Sequence, residues 1–130
     1  MRHLIALLFV LLAGCSVWTE KARAIKLEDL MNGYTQTMEW SDFSRAMLYR
    51  KITTQRPDLT AYQNIKISDY RPAGMVKSED GKTVKRLVQV RYILLSRMAE
   101  RDLTTQEVWA YSEEEGRWVI ISDLPAFPQK

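Results

Sequence analysis

The stretch Asp80–Leu95, DGKTVKRLVQVRYILL, decides the fold. It opens on Asp-Gly, a strong signal for a tight hairpin turn between two extended runs. It then alternates. Val88, Val90, Tyr92 and Leu94 share one face, and Leu87, Gln89, Arg91, Ile93, Leu95 and Arg97 share the other. Side chains two residues apart lie on the same face of a strand, so a long strand is predicted over about Thr83–Arg97. Apolar residues on both faces place it inside a sheet and ask for something on each side: helices on one, and a second layer or a partner on the other.

Working outward, Ile65 and Ile67 alternate with Lys66 and Ser68, which predicts a strand of about Asn64–Tyr70. Pro72-Ala73-Gly74 interrupts it, as expected for an edge or bulged strand. Ser78-Glu79-Asp80-Gly81 is the turn into the long strand. Beyond it, Leu103–Tyr111 places Leu103, Thr105, Glu107, Trp109 and Tyr111 on one face. Glu113–Gly116 makes the next turn, and Arg117–Ser122 sets Trp118 and Ile120 opposite Val119 and Ile121. The prolines of DLPAFPQK, residues 123–130, rule out a further central strand.

Before the strands the period changes. Leu27, Leu30, Met31, Tyr34 and Met38 fall at i, i+3, i+4, i+7 and i+11, one helical stripe. Glu28 and Asp29 stand in its first turn, where the helix dipole favours them. Gly33 costs such a helix about 1 kcal/mol relative to Ala, which a close approach to the sheet would explain. Trp40-Ser41-Asp42-Phe43 reads as a break and restart, with Ser41 as N-cap and Asp42 just inside. Phe43, Ala46, Met47 and the stem of Arg50 line the second helix, and Pro57 marks its exit. Helices first and strands after predict an α+β fold: two N-terminal helices packed on a curved antiparallel sheet of about four meander strands, as one domain over residues 26–130.

The N-terminus carries a different message. Met1-Arg2-His3 precedes nine apolar residues, Leu4–Leu12, and then small residues, the anatomy of a secretory signal peptide. The run is shorter than the roughly 20 residues that span a bilayer. Leu12-Ala13-Gly14-Cys15 resembles the lipobox of bacterial lipoproteins. The resemblance implies diacylglyceryl transfer to the Cys15 thiol, cleavage between Gly14 and Cys15, and acylation of the new amino group. Residues 1–14 are then the signal peptide and 15–25 a lipidated tether. The rival is ordinary secretion with a free Cys15, the only cysteine of the chain. A single acyl chain holds a protein marginally, and two or three make a stable anchor. In that family Asp after the cysteine retains the protein at the inner membrane. Ser16 stands there, which implies the outer membrane, facing the periplasm, in a Gram-negative host. The indole of Trp18 suits either the headgroup level or packing on the domain.

Without residues 1–14 the chain has 116 residues, with 18 basic and 16 acidic side chains, a net charge of about +2. This near balance gives no reason to propose nucleic acid. Lys82, Lys85, Arg86 and Arg91 read as a solvated strand face, against a contact with anionic lipid headgroups. His3, the only histidine, leaves with the signal peptide. No Ser-His-Asp or Cys-His catalysis and no ordinary zinc site is then expected, and no phosphate or calcium loop is present. No metal and no cofactor is predicted.

The helix followed by EWSDFSRAM (Glu39–Met47), and the final VWAYSEEEGRWVIISDLPAF (Val108–Phe127), are similar to the nuclear transport factor 2-like, or cystatin-like, α+β superfamily. That resemblance implies helices lying in the concavity of a curved sheet, and a cavity that serves enzymes in some members and binding in others. Its enzymes commonly pair a pocket Asp with His or Tyr, and here the histidine is missing. Asp42, Asp69 and Glu107 are the positional candidates for a carboxylate acid or base, against roles as a cap, a strand-edge charge or a solvated cross-strand partner. Trp40, Tyr92, Trp109 and Trp118 are the candidates for lining a cavity, against filling the core. The expectation is a lipid-anchored cell-envelope protein, held to the membrane by its acyl chains, with no catalytic residue. It would act as a binding or assembly accessory to another envelope protein, or alternatively as a carrier or sensor of a small apolar ligand between helices and sheet.

Overall fold

The computed structural model describes the backbone of residues 2–51 and 58–130, and their side chains from Lys21 onward. The side chains of Cys15 and Trp18, and the helix exit expected at Pro57, lie outside the described residues, and of Gly14 only the helical backbone is described. The architecture is α+β. Helix α1 (Arg2–Glu39) and a one-turn α2 (Phe43–Ala46) precede four strands: β1 (Ile65–Lys77), β2 (Thr83–Leu94), β3 (Ala99–Ser112) and β4 (Arg117–Ile120). They form one antiparallel sheet in the order β1-β2-β3-β4, a simple meander.

Helix α1 packs on one face of this sheet through the expected stripe. Leu27, Met31, Tyr34 and Met38 are buried, with Leu30 at the margin. Full burial of each such side chain contributes about 1.5–3 kcal/mol, which fixes the helix on the sheet. The backbone stays helical through residues 15–25, the stretch read as a tether. The close approach at Gly33 is to the hydroxyl of Tyr49 rather than to the sheet: a Cβ there would stand 2.7 Å from that oxygen.

The end of α1 corrects two expectations. Ser41 is not the cap of the second helix. It adopts a left-handed conformation (φ 57°), with Asp42 N–H donating to the Thr37 carbonyl at 3.1 Å and Ser41 N–H to that of Met38 at 2.9 Å. This is a Schellman close, a position usually given to glycine. Serine holds it because its Oγ also accepts the Ile67 N–H of β1 at 2.7 Å. The cap moves on by one residue to Asp42, whose carboxylate accepts the Arg45 N–H at 3.1 Å. The second helix then lasts one turn and tightens into a 3₁₀ turn, Met47–Tyr49.

In β2 every even residue from Val84 to Leu94 is buried. Strand β1 continues past Pro72 by means of two bulges: Ser68 and Ala73 are skipped in its register with β2. Each bulge inserts one unpaired residue and turns the strand, so that Tyr70, three residues after Ile67, is buried with it. From Arg71 to Lys77 the strand is exposed. The last residues run back over the inner face without regular structure. Phe127 packs on Tyr92, Phe43 and Tyr62 at ring distances of 4.9–6.0 Å, and Tyr92 donates its hydroxyl to the Pro128 carbonyl at 2.7 Å.

The β2–β3 turn places Met98 at φ 47° with its side chain 74% exposed. A left-handed L-residue costs about 1–2 kcal/mol that glycine avoids. Met98→Gly is therefore expected to stabilise the domain by about 0.5–1 kcal/mol, read as a higher urea midpoint with an unchanged slope.

Candidate functional site

The fold gathers its most unusual chemistry on the inner face of the sheet. Arg86 on β2 and Glu107 on β3 stand directly opposite each other in register. Both are buried, at 5% and 3% exposure. Arg86 Nη2 donates to both carboxylate oxygens of Glu107 at 2.8 and 2.9 Å and to Thr35 Oγ1 of α1 at 3.0 Å. Tyr70 of β1 donates its hydroxyl to Glu107 at 2.7 Å, and the Trp109 indole N–H donates at 2.8 Å. One carboxylate thus ties together three strands, and its arginine ties them to α1.

A second buried cation lies beside this group. Arg50 sits at the point where the chain bridges to Ile120. It donates to the carbonyls of Ala46 (2.9 Å) and Ser122 (3.1 Å) and to the Tyr34 hydroxyl (3.1 Å). Its guanidinium also lies 5.6 Å from the centre of the Tyr34 ring. Tyr34 in turn meets Tyr49, Tyr70 and Trp109 edge-to-face at 5.3–6.3 Å. Burial pushes the Tyr34 phenol above its ordinary value, against the opposing pull of Arg50. Burial, followed by the Glu107 charge, raises Tyr70 further.

The positional carboxylates therefore separate. Asp42 is a cap. Asp69 is half exposed and pairs with Arg71 at 2.9 Å, a surface pair of little energetic weight. Glu107 is no solvated cross-strand partner, because the core encloses it. Arg86, assigned to a solvated basic face with Lys82, Lys85 and Arg91, is buried as well. Lys82, Lys85 and Arg91 are exposed as expected, and Arg91 bridges Glu100 and Asp102 on the outer face, at 3.0 Å to each. Thr35, Tyr34, Tyr70 and Arg50 carry the network and were not singled out as site residues. The parity of Arg86 with Val84 and Val88 was the available signal.

The four candidate aromatics occupy different places. Trp109 is fully buried at the centre of the network. Tyr92 is buried under Phe127. Trp118 is buried where α1 enters the domain, its indole donating to the Arg23 carbonyl at 3.1 Å and its ring meeting Tyr111 at 5.6 Å. Trp40 is 65% exposed, outside the core and away from the other three. The interior aromatics fill the core, and the clefts open at the surface. One of about 700 Å³ lies between α1 and the β1–β2 hairpin, with Leu27, Met31, Val84 and Trp118 among its lining and Arg23, Glu28, Lys77 and Lys82 among its charges. A second, of about 420 Å³, lies between Trp40, Leu30, Leu48 and Tyr49. A third, of about 410 Å³, is a charged depression around Arg91 on the outer face.

Among the described residues no cluster of His, Cys, Asp and Glu could hold a metal ion, and no helix is long and apolar enough to cross a membrane. Comparison with known proteins finds no matching family, no matching curated protein and no matching solved structure.

Proposed function

We propose that this chain is a lipid-anchored protein of the cell envelope whose domain works by binding and not by catalysis, as an accessory to another envelope protein. The observation that carries the non-catalytic part is the state of Glu107. It is the one buried carboxylate among the described residues, and Arg86, Tyr70 and Trp109 all donate to it. An acid or base must reach the proton it moves. A carboxylate closed in this way serves cohesion, and the surface clefts are left for recognition. The anchor rests on Leu12-Ala13-Gly14-Cys15 and on the apolar run before it, and Ser16 favours the outer membrane, facing the periplasm.

The likeness to the nuclear transport factor 2-like superfamily is part of the same reading. Its support is the helix across one sheet face, the break at Trp40–Phe43, and two bulges of the kind that bend a strand. A second reading, carriage of a small apolar ligand, draws on the cleft of about 700 Å³ between α1 and the sheet, within the range of small-molecule sites.

The anchor is tested by Cys15→Ala, which removes the only thiol. The expected result is an uncleaved or soluble protein, while the parent gives a membrane-bound chain whose mass begins at Cys15 plus acyl groups. A processed Cys15→Ala protein that stays in the membrane fraction would overturn the anchor.

A further inference from the structure

We propose that the depression at the C-terminal end of α1 is the docking site for an acidic peptide segment of a partner protein: an apolar side chain seated beside Trp40, with a carboxylate on Arg45 a few residues away. This names the partner chemistry for the binding reading above and rests on it.

Two observations carry the assignment. The first is apolar. Trp40 and Leu48 are 65% and 71% exposed, and with Leu30 and Tyr49 they border a depression of about 420 Å³. Exposed tryptophan beside aliphatic groups is costly in water and typical of the few residues that dominate binding interfaces. The second is charge. Arg45 and Arg117 line the depression, and no carboxylate does. Arg117 is committed: it donates to the carbonyls of Leu48 and Arg50 and meets Glu115 at 3.5 Å. The nearby Asp42 is committed as a cap, accepting the backbone N–H of Arg45. The Arg45 guanidinium makes no hydrogen bond or ion pair among the described residues, and the residue is exposed. An unmatched arginine beside an apolar seat selects a partner bearing Asp or Glu next to an apolar residue, since guanidinium–carboxylate pairing adds direction as well as charge.

Position adds to this. α1 is continuous to Glu39, and 25 residues separate Cys15 from Trp40, about 38 Å at 1.5 Å per residue. The depression thus lies well along the helix from the point where an anchor on Cys15 would hold it.

The test is photo-crosslinking in cells with Leu48→p-benzoylphenylalanine in the full chain, using Leu87→p-benzoylphenylalanine on the outer sheet face as control. The expected result is one discrete adduct whose crosslinked peptide contains Asp or Glu within a few residues of the attachment point. Its yield should fall about tenfold with Trp40→Ala or Arg45→Glu, survive Arg45→Lys, and return in Arg45→Glu when the partner's carboxylate is changed to Lys. The melting curve of Arg45→Glu checks that the fold is intact, because its backbone N–H still reaches Asp42. An adduct with phospholipid or with a second copy, a partner peptide without a carboxylate, indifference to Arg45→Glu, or no adduct above control would each overturn the proposal. Fractionation of the same cells reads the anchor separately: membrane retention without an adduct sinks only the docking site, and an adduct on a soluble, unacylated chain sinks only the anchor.

Discussion

Glu107→Ala is expected to cost the domain about 3–5 kcal/mol, among the largest effects of any single substitution, because it leaves Arg86 as a buried charge without its counter-ion. The loss does not stop at the ion pair. Tyr70 and Trp109 lose their acceptor as well, and a buried donor without a partner costs about 1–3 kcal/mol. One strain is already present, since Arg86 Nε is buried with no partner. The double substitution Arg86→Met with Glu107→Leu removes both charges and keeps the volume. It is expected to be much less harmful than the sum of the single changes, with a coupling of about 2 kcal/mol or more. Urea unfolding of the parent, both single variants and the double variant checks this. A Glu107→Ala loss below about 1 kcal/mol would mean that the pair is not closed from water.

The second large effect is a steep loss of stability in alkali. Tyr34 and Tyr70 both have phenols raised above the ordinary value of 10.0. Each is held protonated in the folded state, while the unfolded chain ionises near pH 10. Below pH 10 both states keep the proton and stability is unaffected. Above it the unfolded state binds fewer protons, so unfolding free energy falls as pH rises, by up to about 1.4 kcal/mol per pH unit for each such tyrosine. Two such tyrosines together remove up to about 2.8 kcal/mol per unit above pH 10. Denaturation curves at pH 8, 10 and 11 read the slope, and phenolate absorbance shows whether ionisation accompanies unfolding. Tyr70→Phe is expected to lower the slope by one residue's share, whatever its effect at pH 8. A flat profile to pH 11 would contradict the burial of both rings.

The fold was largely legible because its signals are local. The alternation of Val88, Val90, Tyr92 and Leu94, the Asp-Gly turn and the stripe from Leu27 to Met38 each name an element from neighbouring residues alone. What was not legible depends on contacts between distant residues. Tyr70 is inward only because the bulge at Ser68 shifts the alternation, and the alternation as written would have turned it outward. Ser41 takes a left-handed position because Ile67, 26 residues on, needs an acceptor there. Glu107 as a buried carboxylate follows only from the register that sets it opposite Arg86. The parity of Arg86 already placed it inward. Its charge pointed the other way, and the charge was neutralised by a partner no local pattern names. Trp40 was grouped with interior aromatics by residue type, yet the Schellman close turns the chain just beyond it and leaves it outside.

The order β1-β2-β3-β4 also bears on how the chain acquires its structure. Each strand pairs with the next in sequence through a connection of four or five residues: 78–82, 95–98 and 113–116. Closing such short loops takes little chain entropy and little time. A sheet assembled from hairpins can therefore zip up one neighbour at a time, before α1 and the final segment close over its inner face. A single cysteine leaves no intramolecular crosslink to wait for. Such a chain would expose its apolar strands only briefly. α1 must still bring Thr35 to Arg86 and shield a charge pair that the bare sheet leaves wet.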